Sequence, residues 1–198
     1  KRAAMPAYTP FIERVTQGQG EIDAGLTDTL GGVLMRGAWV DLKRLLADER
    51  ARLEAAGVLF TEAFDPAEVQ PGPEGVVWRT VQARGVVYCD GYKSAQRGPF
   101  AYLPWQPAKG EAVSLRSNAP QKPFILNREG WALPLGEGLW RTGTNWAREG
   151  LDEQPTESQK EKLIRRFRSY FGQEVSVEVT AHVAGVRPCT SDNLPFLG

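Results

Sequence analysis

AGVRPCTSDNLPFLG, residues 184–198, decides how the rest of the chain is read. Arg187 is its only cation, and Pro188 directly after it biases the arginine's backbone toward extended conformations. A Thr-Ser-Asp turn at 190–192 and an apolar Leu-Pro-Phe-Leu-Gly run follow, so the stretch is expected to be a strand that delivers one guanidinium to a defined spot. A planar guanidinium holds a carboxylate through two parallel charge-assisted hydrogen bonds, the usual grip on a small acid such as an amino acid. Arg187 is therefore the leading candidate for a substrate anchor, the competing reading being a structural ion pair.

Working back from Arg187, Val175, Val177 and Val179 alternate with Ser176, Glu178 and Thr180, which predicts a half-buried strand running through His182 into the arginine segment. Before it, Leu163, Ile164, Phe167, Tyr170 and Phe171 form the apolar stripe of a helix over 156–171. Thr156 and Gln159 have capping-box spacing at its start, and Gly172 ends it. Short strands at 112–116, 124–127, 131–134 and 139–146, with a tight Gly136-Glu137-Gly138 turn before the last, imply an antiparallel sheet. Upstream, 32–40 and 58–64 read as strands flanking a helix that Asp41 caps and Gly57 closes. Residues 65–75, with three prolines and two glycines, read as a loop; 76–81 reads as a strand pairing with a following strand at 85–89. The Tyr8, Phe11, Ile12, Val15 cluster supports one or two helical turns.

Composition narrows the function classes. The 198 residues, 41% hydrophobic, can bury a sizeable core in one or two globular units. Lys plus Arg and Asp plus Glu both number 24, so no net basic field favours a nucleic acid partner. No apolar run reaches the roughly 18 residues a membrane span needs, and the N-terminus lacks signal-peptide order, which leads to the expectation of a cytoplasmic protein. Cys89 and Cys189 are too few for a disulfide framework and have no metal-ligand spacing; Cys89 is expected to pack inside a strand. His182, the single histidine, has no nucleophile motif beside it and reads as a strand residue.

The terminal segment resembles the G-[LVF]-R-P-x-T-x-D-x-x-P-x-[IL]-G motif of the D-amino acid oxidase superfamily, in particular its glycine oxidase and sarcosine oxidase branch. VVYCDGYKS (86–94) and PAKGEAVSLRS (107–117) resemble further motifs of those flavoenzymes, although Cys89-Asp90 replace the usual small apolar pair. The resemblance covers roughly residues 31–198. It implies an α+β fold: an antiparallel substrate-domain sheet with a packed helix, plus a partial α/β remnant of the FAD domain. The implied division is substrate domain at 1–38 and 104–185, FAD domain at 39–103, and a return into the FAD domain at 186–198.

By position, the resemblance makes Arg187 the carboxylate anchor, Trp131 and Asn145 pocket-lining residues, and Gly91 and Tyr92 the turn that approaches FAD. It implies hydride transfer from an amine or amino acid to FAD, a small-molecule partner and no acid, base or metal constellation. The dinucleotide fingerprint G-x-G-x-x-G does not occur in the 198 residues, so FAD is not expected to stay bound to this piece alone. Lys1 in place of an initiator methionine and a last residue in mid-motif lead to the expectation of a central fragment of a longer enzyme. Two alternatives remain open: the oxidase domain acting on carboxymethylaminomethyl-modified tRNA uridine, and a non-enzymatic α+β binding module.

Overall fold

In the computed structural model, residues 6–17, 25–27, 29–192 and 194 are described. The Pro-Phe-Leu-Gly end of the terminal apolar run lies outside them. The chain divides into two units, Lys1–Asp23 with Thr29–Asp65, and Ala24–Asp28 with Pro66–Gly198.

The first unit holds two antiparallel strands, β1 (Ile12–Gln17) and β2 (Gly31–Met35), and helix α1 (Leu42–Ala55). Only one 3₁₀ turn, Thr9–Phe11, forms where helical turns were expected; Ile12, Val15 and Thr16 are β-branched and find a pairing partner in β2. The Asp41 side chain caps α1, accepting the Lys43 and Arg44 N–H groups at 3.1 and 3.2 Å. Gly57 follows in the left-handed region at φ +67°, where a glycine costs least. The strand expected at 58–64 does not form. A strand needs a neighbour for its backbone groups; no described strand lies beside this run, and Val58 and Phe60 are 58% and 61% exposed.

The second unit begins with a three-stranded antiparallel sheet, β3 (Val69–Gly72), β4 (Gly75–Trp78) and β5 (Val81–Ala83). β3 occupies part of the expected loop, and its Pro71 is tolerated because β3 is an edge strand. β4 pairs with β3 and β5 rather than with 85–89, which is left without a strand; Cys89 is exposed there, against the expectation that it packs. Gly91–Ala95 then forms a 3₁₀ helix.

The main sheet has the order β10-β6-β9-β8-β7, all antiparallel. Its strands are β6 (Ala108–Arg116), β7 (Leu126–Asn127), β8 (Trp131–Gly136), β9 (Leu139–Gly143) and β10 (Glu178–Arg187). Gly136 pairs with Leu139 around Glu137-Gly138, both at positive φ (+50° and +75°), the backbone a two-residue hairpin turn requires. Helix α2 (Glu157–Phe171) covers one face. Side chains alternate along strands, so Val113 and Leu115 of β6, Trp140 of β9 and Ala132 of β8 face α2 and meet Leu163, Phe167 and Phe171, all buried. Trp140 packs edge-on against Phe167 and Phe171, with ring centroids 5.4 and 5.1 Å apart. The hydroxyl of Tyr170 accepts the Arg128 N–H and donates to the Gly130 carbonyl, tying the β7–β8 turn to the helix. Its burial pushes the phenol pKa up, so the hydroxyl stays a donor.

The start of α2 departs from the expected capping box. The Thr156 side chain makes no cap bond; its hydroxyl and N–H both donate to the carboxylate of Glu111, at 3.0 and 2.8 Å. Glu111 is 2% exposed and sits on β6 facing the helix N-terminus, where the helix dipole and the orphan N–H groups favour a negative charge. Two residues before it, Lys109 is 4% exposed; its ammonium reaches Asp152 and the Gln154 carbonyl, each at 2.5 Å.

Two expectations follow. Phe167→Ala should cost about 3–5 kcal/mol of stability through lost burial and a residual cavity, while Arg165→Ala on the outer face of α2 should stay within about 0.5 kcal/mol; equal losses in denaturant titration would show that the sheet–helix core is misassigned. The hydrogen bond from Lys109 holds the Asp152 carboxyl below its ordinary value of 3.8. A folded-state pKa lowered in this way stabilises above the unfolded value, and the contribution is lost as pH falls through the folded value. Wild type should therefore exceed Asp152→Asn in melting temperature above pH 4, with the gap closing on acidification below it; a gap that does not vary with pH would count against the pair.

Candidate functional site

The sheet face turned away from α2 carries the residues of opposite parity. On β6 these are Ala108, Gly110, Ala112 and Ser114; across from them on β10 stand Arg187, Gly185, Val183 and Ala181. On the other side of β6, Ala112 pairs with Gly143, and Gly143 pairs with Trp131 of β8. Seven of these positions are Gly, Ala or Ser, giving a shallow floor with few projecting side chains, and Arg187 and Trp131 rise from it.

Arg187 does lie on a strand, as the last residue of β10. Its guanidinium folds back across Gly110, where a Cβ would overlap Cζ and both terminal nitrogens, so only glycine leaves room for it. One nitrogen donates to Thr144 Oγ1 at 2.9 Å, the other to the Asn145 carbonyl at 3.5 Å. The Trp146 ring lies against it, with Cζ 4.8 Å from the ring centroid, a cation–π distance. Among the described residues no carboxylate is paired with Arg187, so the structural ion pair is not formed here.

The backbone that supplies these contacts is fixed along β6. The Glu111 N–H donates to Asn145 Oδ1 at 2.7 Å, and Lys109 and Ala147 exchange backbone hydrogen bonds of 2.8 and 3.0 Å. Residues 145–147 thus continue the β9 side of the ladder past its last residue, and Trp146, between two anchored residues, points to the same face as Arg187. Asn145 spends its side chain on β6 and offers Arg187 its carbonyl. Trp131 lays its indole over Gly143, whose Cβ position is 2.6 Å from Trp131 Cζ2, while its carbonyl accepts the Thr142 hydroxyl at 2.7 Å. The sheet therefore brings Arg187, Asn145 and Trp131 to one end of one face.

Gly91 and Tyr92 sit elsewhere in the same unit. Gly91 opens the 3₁₀ helix at φ +61° with open space around its Cβ position, and Tyr92 is half-buried. Their helix lies beside β10, but among the described residues no hydrogen bond or ring contact joins them to Arg187, Asn145 or Trp131. His182 faces the α2 side, its Nε2 2.9 Å from Glu111 Oε2 without the alignment of a hydrogen bond, so it belongs to the buried charge cluster. Gly110, Thr144 and Trp146 were not singled out from sequence. For Gly110 the reason, its parity with Arg187 across the β6–β10 register, appears only in the structure; for Trp146 there was no signal beyond its being an aromatic near a turn.

The chain matches the model of the FAD dependent oxidoreductase family over residues 4–198. It is 28% identical over 207 residues to the tRNA 5-methylaminomethyl-2-thiouridine biosynthesis bifunctional protein MnmC of Paraburkholderia phymatum, covering 95% of this chain and 31% of that protein. The Burkholderia mallei protein of the same name is 26% identical, with 86% of this chain and 25% of that protein covered. The chain thus spans about a third or less of the curated relatives it matches. Among solved structures, glycine oxidase from Geobacillus kaustophilus superposes with a TM-score of 0.76 at 22% identity, covering 93% of this chain and 53% of that one. Iminodiacetate oxidase from Chelativorans sp. BNC1 does so with 0.70 at 17% identity, covering 96% and 55%. These two establish likeness of fold; the family match over nearly the whole length, together with the α+β sheet and helix described above, shows that the chain belongs to the FAD dependent oxidoreductase family.

Proposed function

We propose that this chain forms the substrate-binding sheet of an enzyme that oxidises the C–N bond of an amine or amino acid bearing a carboxylate, giving an imine that water hydrolyses. The observation that carries the proposal is Arg187: a guanidinium held in place by Gly110, Thr144, Asn145 and Trp146, with no carboxylate of the described residues against it and N–H groups left to donate. A substrate carboxylate bound there directs the rest of the molecule across the Gly110, Ala112, Gly185 floor, with the Trp131 indole as a side wall. Orientation is most of what the protein must supply, because FAD, when bound, provides the acceptor for the hydride leaving the carbon next to nitrogen. The Arg187 guanidinium lies over Gly110, but no long side chain rises from Ala112, Ser114 or Gly185, so that part of the floor fits the reactive ring of the cofactor. Gly91 and Tyr92 belong to the proposal as backbone that approaches the cofactor.

A second reading has its own support. The relatives named for 5-methylaminomethyl-2-thiouridine biosynthesis align with up to 95% of this chain, and a carboxymethylamino group on a tRNA uridine would present Arg187 with the same carboxylate. The balanced charge of the chain, 24 against 24, argues against a broad nucleic acid footprint but does not exclude one nucleotide at the site. No described helix is long and apolar enough to cross a membrane.

In the flavin-loaded enzyme containing this chain, Arg187→Ala should lower kcat/KM for a carboxylated amine by roughly 30-fold to 1000-fold, the equivalent of about 2–4 kcal/mol, with Arg187→Lys in between because it keeps the charge and loses the fork. An amine without the carboxylate should be affected far less by either change. Equal losses for both amines, with a lowered melting temperature, would make Arg187 a structural residue and remove the anchor. Comparing free amino acids with modified tRNA as substrates of the same enzyme separates the two readings.

A further inference from the structure

The Trp146 indole touches two guanidinium groups. Besides Arg187, Arg148 places its Cζ 5.6 Å from the same ring centroid. The two guanidinium carbons are therefore at most about 10 Å apart, the distance set by two cation–π contacts on one ring. Arg148 is also held from behind, since one of its nitrogens donates to the Gln106 carbonyl. Its backbone follows Ala147, which Lys109 fixes on both sides. Among the described residues Arg148 has no carboxylate partner; Glu149, its neighbour in sequence, is not paired with it.

Two guanidinium groups on one indole repel each other, and among the described residues no carboxylate neutralises either. Such an arrangement gains most from an anion that can answer both, and it is organised beforehand, so little side-chain entropy is lost when the anion arrives. The planar forks match carboxylates in particular. We infer that Arg148 forms a second carboxylate position beside the Arg187 anchor, so that the site prefers amines carrying two carboxylates over those carrying one. The inference rests on the proposed role of Arg187 and adds to it a determinant of which substrate is taken.

The test is calorimetric titration, without oxygen, of the flavin-loaded enzyme containing this chain with iminodiacetate, which has two carboxylates on one amine, and with glycine, which has one. The wild-type enzyme should bind iminodiacetate more tightly, and Arg148→Gln should reduce that preference by about fivefold or more, an effect that shrinks in 0.5 M salt because Arg148 is exposed. Arg187→Gln should weaken both ligands. If Arg148→Gln leaves the ratio of the two affinities as it was while Arg187→Gln still weakens both, the second position is wrong and the anchor stands. If Arg187→Gln changes neither, or the wild-type flavin-loaded enzyme takes up neither ligand, the anchor itself is overturned and the second position with it.

Discussion

A buried carboxylate at the start of a helix holds the arrangement together. Glu111 is 2% exposed, and removing an ion from water costs several kcal/mol unless its lone pairs are answered. They are answered by the Thr156 N–H, the Thr156 hydroxyl and the dipole of α2, with His182 alongside. The same residue's N–H holds Asn145, so one position of β6 fixes both ends of the connection from β9 to α2. Lys109 does the same one turn of the pleat away, with its backbone on Ala147 and its ammonium on Asp152 and the Gln154 carbonyl. The segment between, which carries Thr144, Asn145, Trp146 and Arg148, is a long connection with a fixed course. Arg187 inherits its position from that course.

This explains why some features were legible in the sequence and others were not. The valine alternation from 175 and the apolar stripe of 156–171 are local periodicities; the helix formed, and the strand formed only from Glu178 on, with Val175 and Val177 packing on the core ahead of it, because the partner each needs lies in the same unit. The run at 58–64 has the same local quality and formed no strand, because a strand is completed by a neighbour and none of the described strands lies beside it. Thr156 and Gln159 show the same limit at a helix end. Their spacing suits a reciprocal cap, but a buried acid 45 residues away in sequence takes the hydroxyl instead. Local pattern proposes; long-range pairing decides, and a single sequence does not display it.

The site divides along the same line. Arg187 could be found because its motif is contiguous and an extended strand is the one outcome Pro188 favours. Its surroundings come from two other stretches, Gly110 of β6 and residues 144–146 after β9. Gly110 is needed because Arg187 of the next strand crosses it, a fact visible only once Gly185 is known to pair with Gly110 and Arg187 with Ala108. The alternation of large residues toward α2 and small ones away from it then takes on meaning: Val113 and Leu115 build a core, while on the opposite face Gly110 makes room for the Arg187 guanidinium and Ala112 and Ser114 add little bulk.

Charge gives the sharpest case of a quantity that depends on place rather than number. With 24 basic and 24 acidic residues the chain has no net field, and from the count alone each arginine would be expected to have its counter-ion. The acids are instead spent where they stabilise structure: Glu111 on a helix end, Asp152 on a buried lysine, and Glu49, Glu54 and Glu68 on arginines at the surface. What remains at Trp146 is local positive charge with no acid of the described residues against it, on the one sheet face that carries no bulky floor. An anion arriving there would lose its water against preformed donors rather than against groups that must first reorganise, and on that difference the proposed carboxylate site rests.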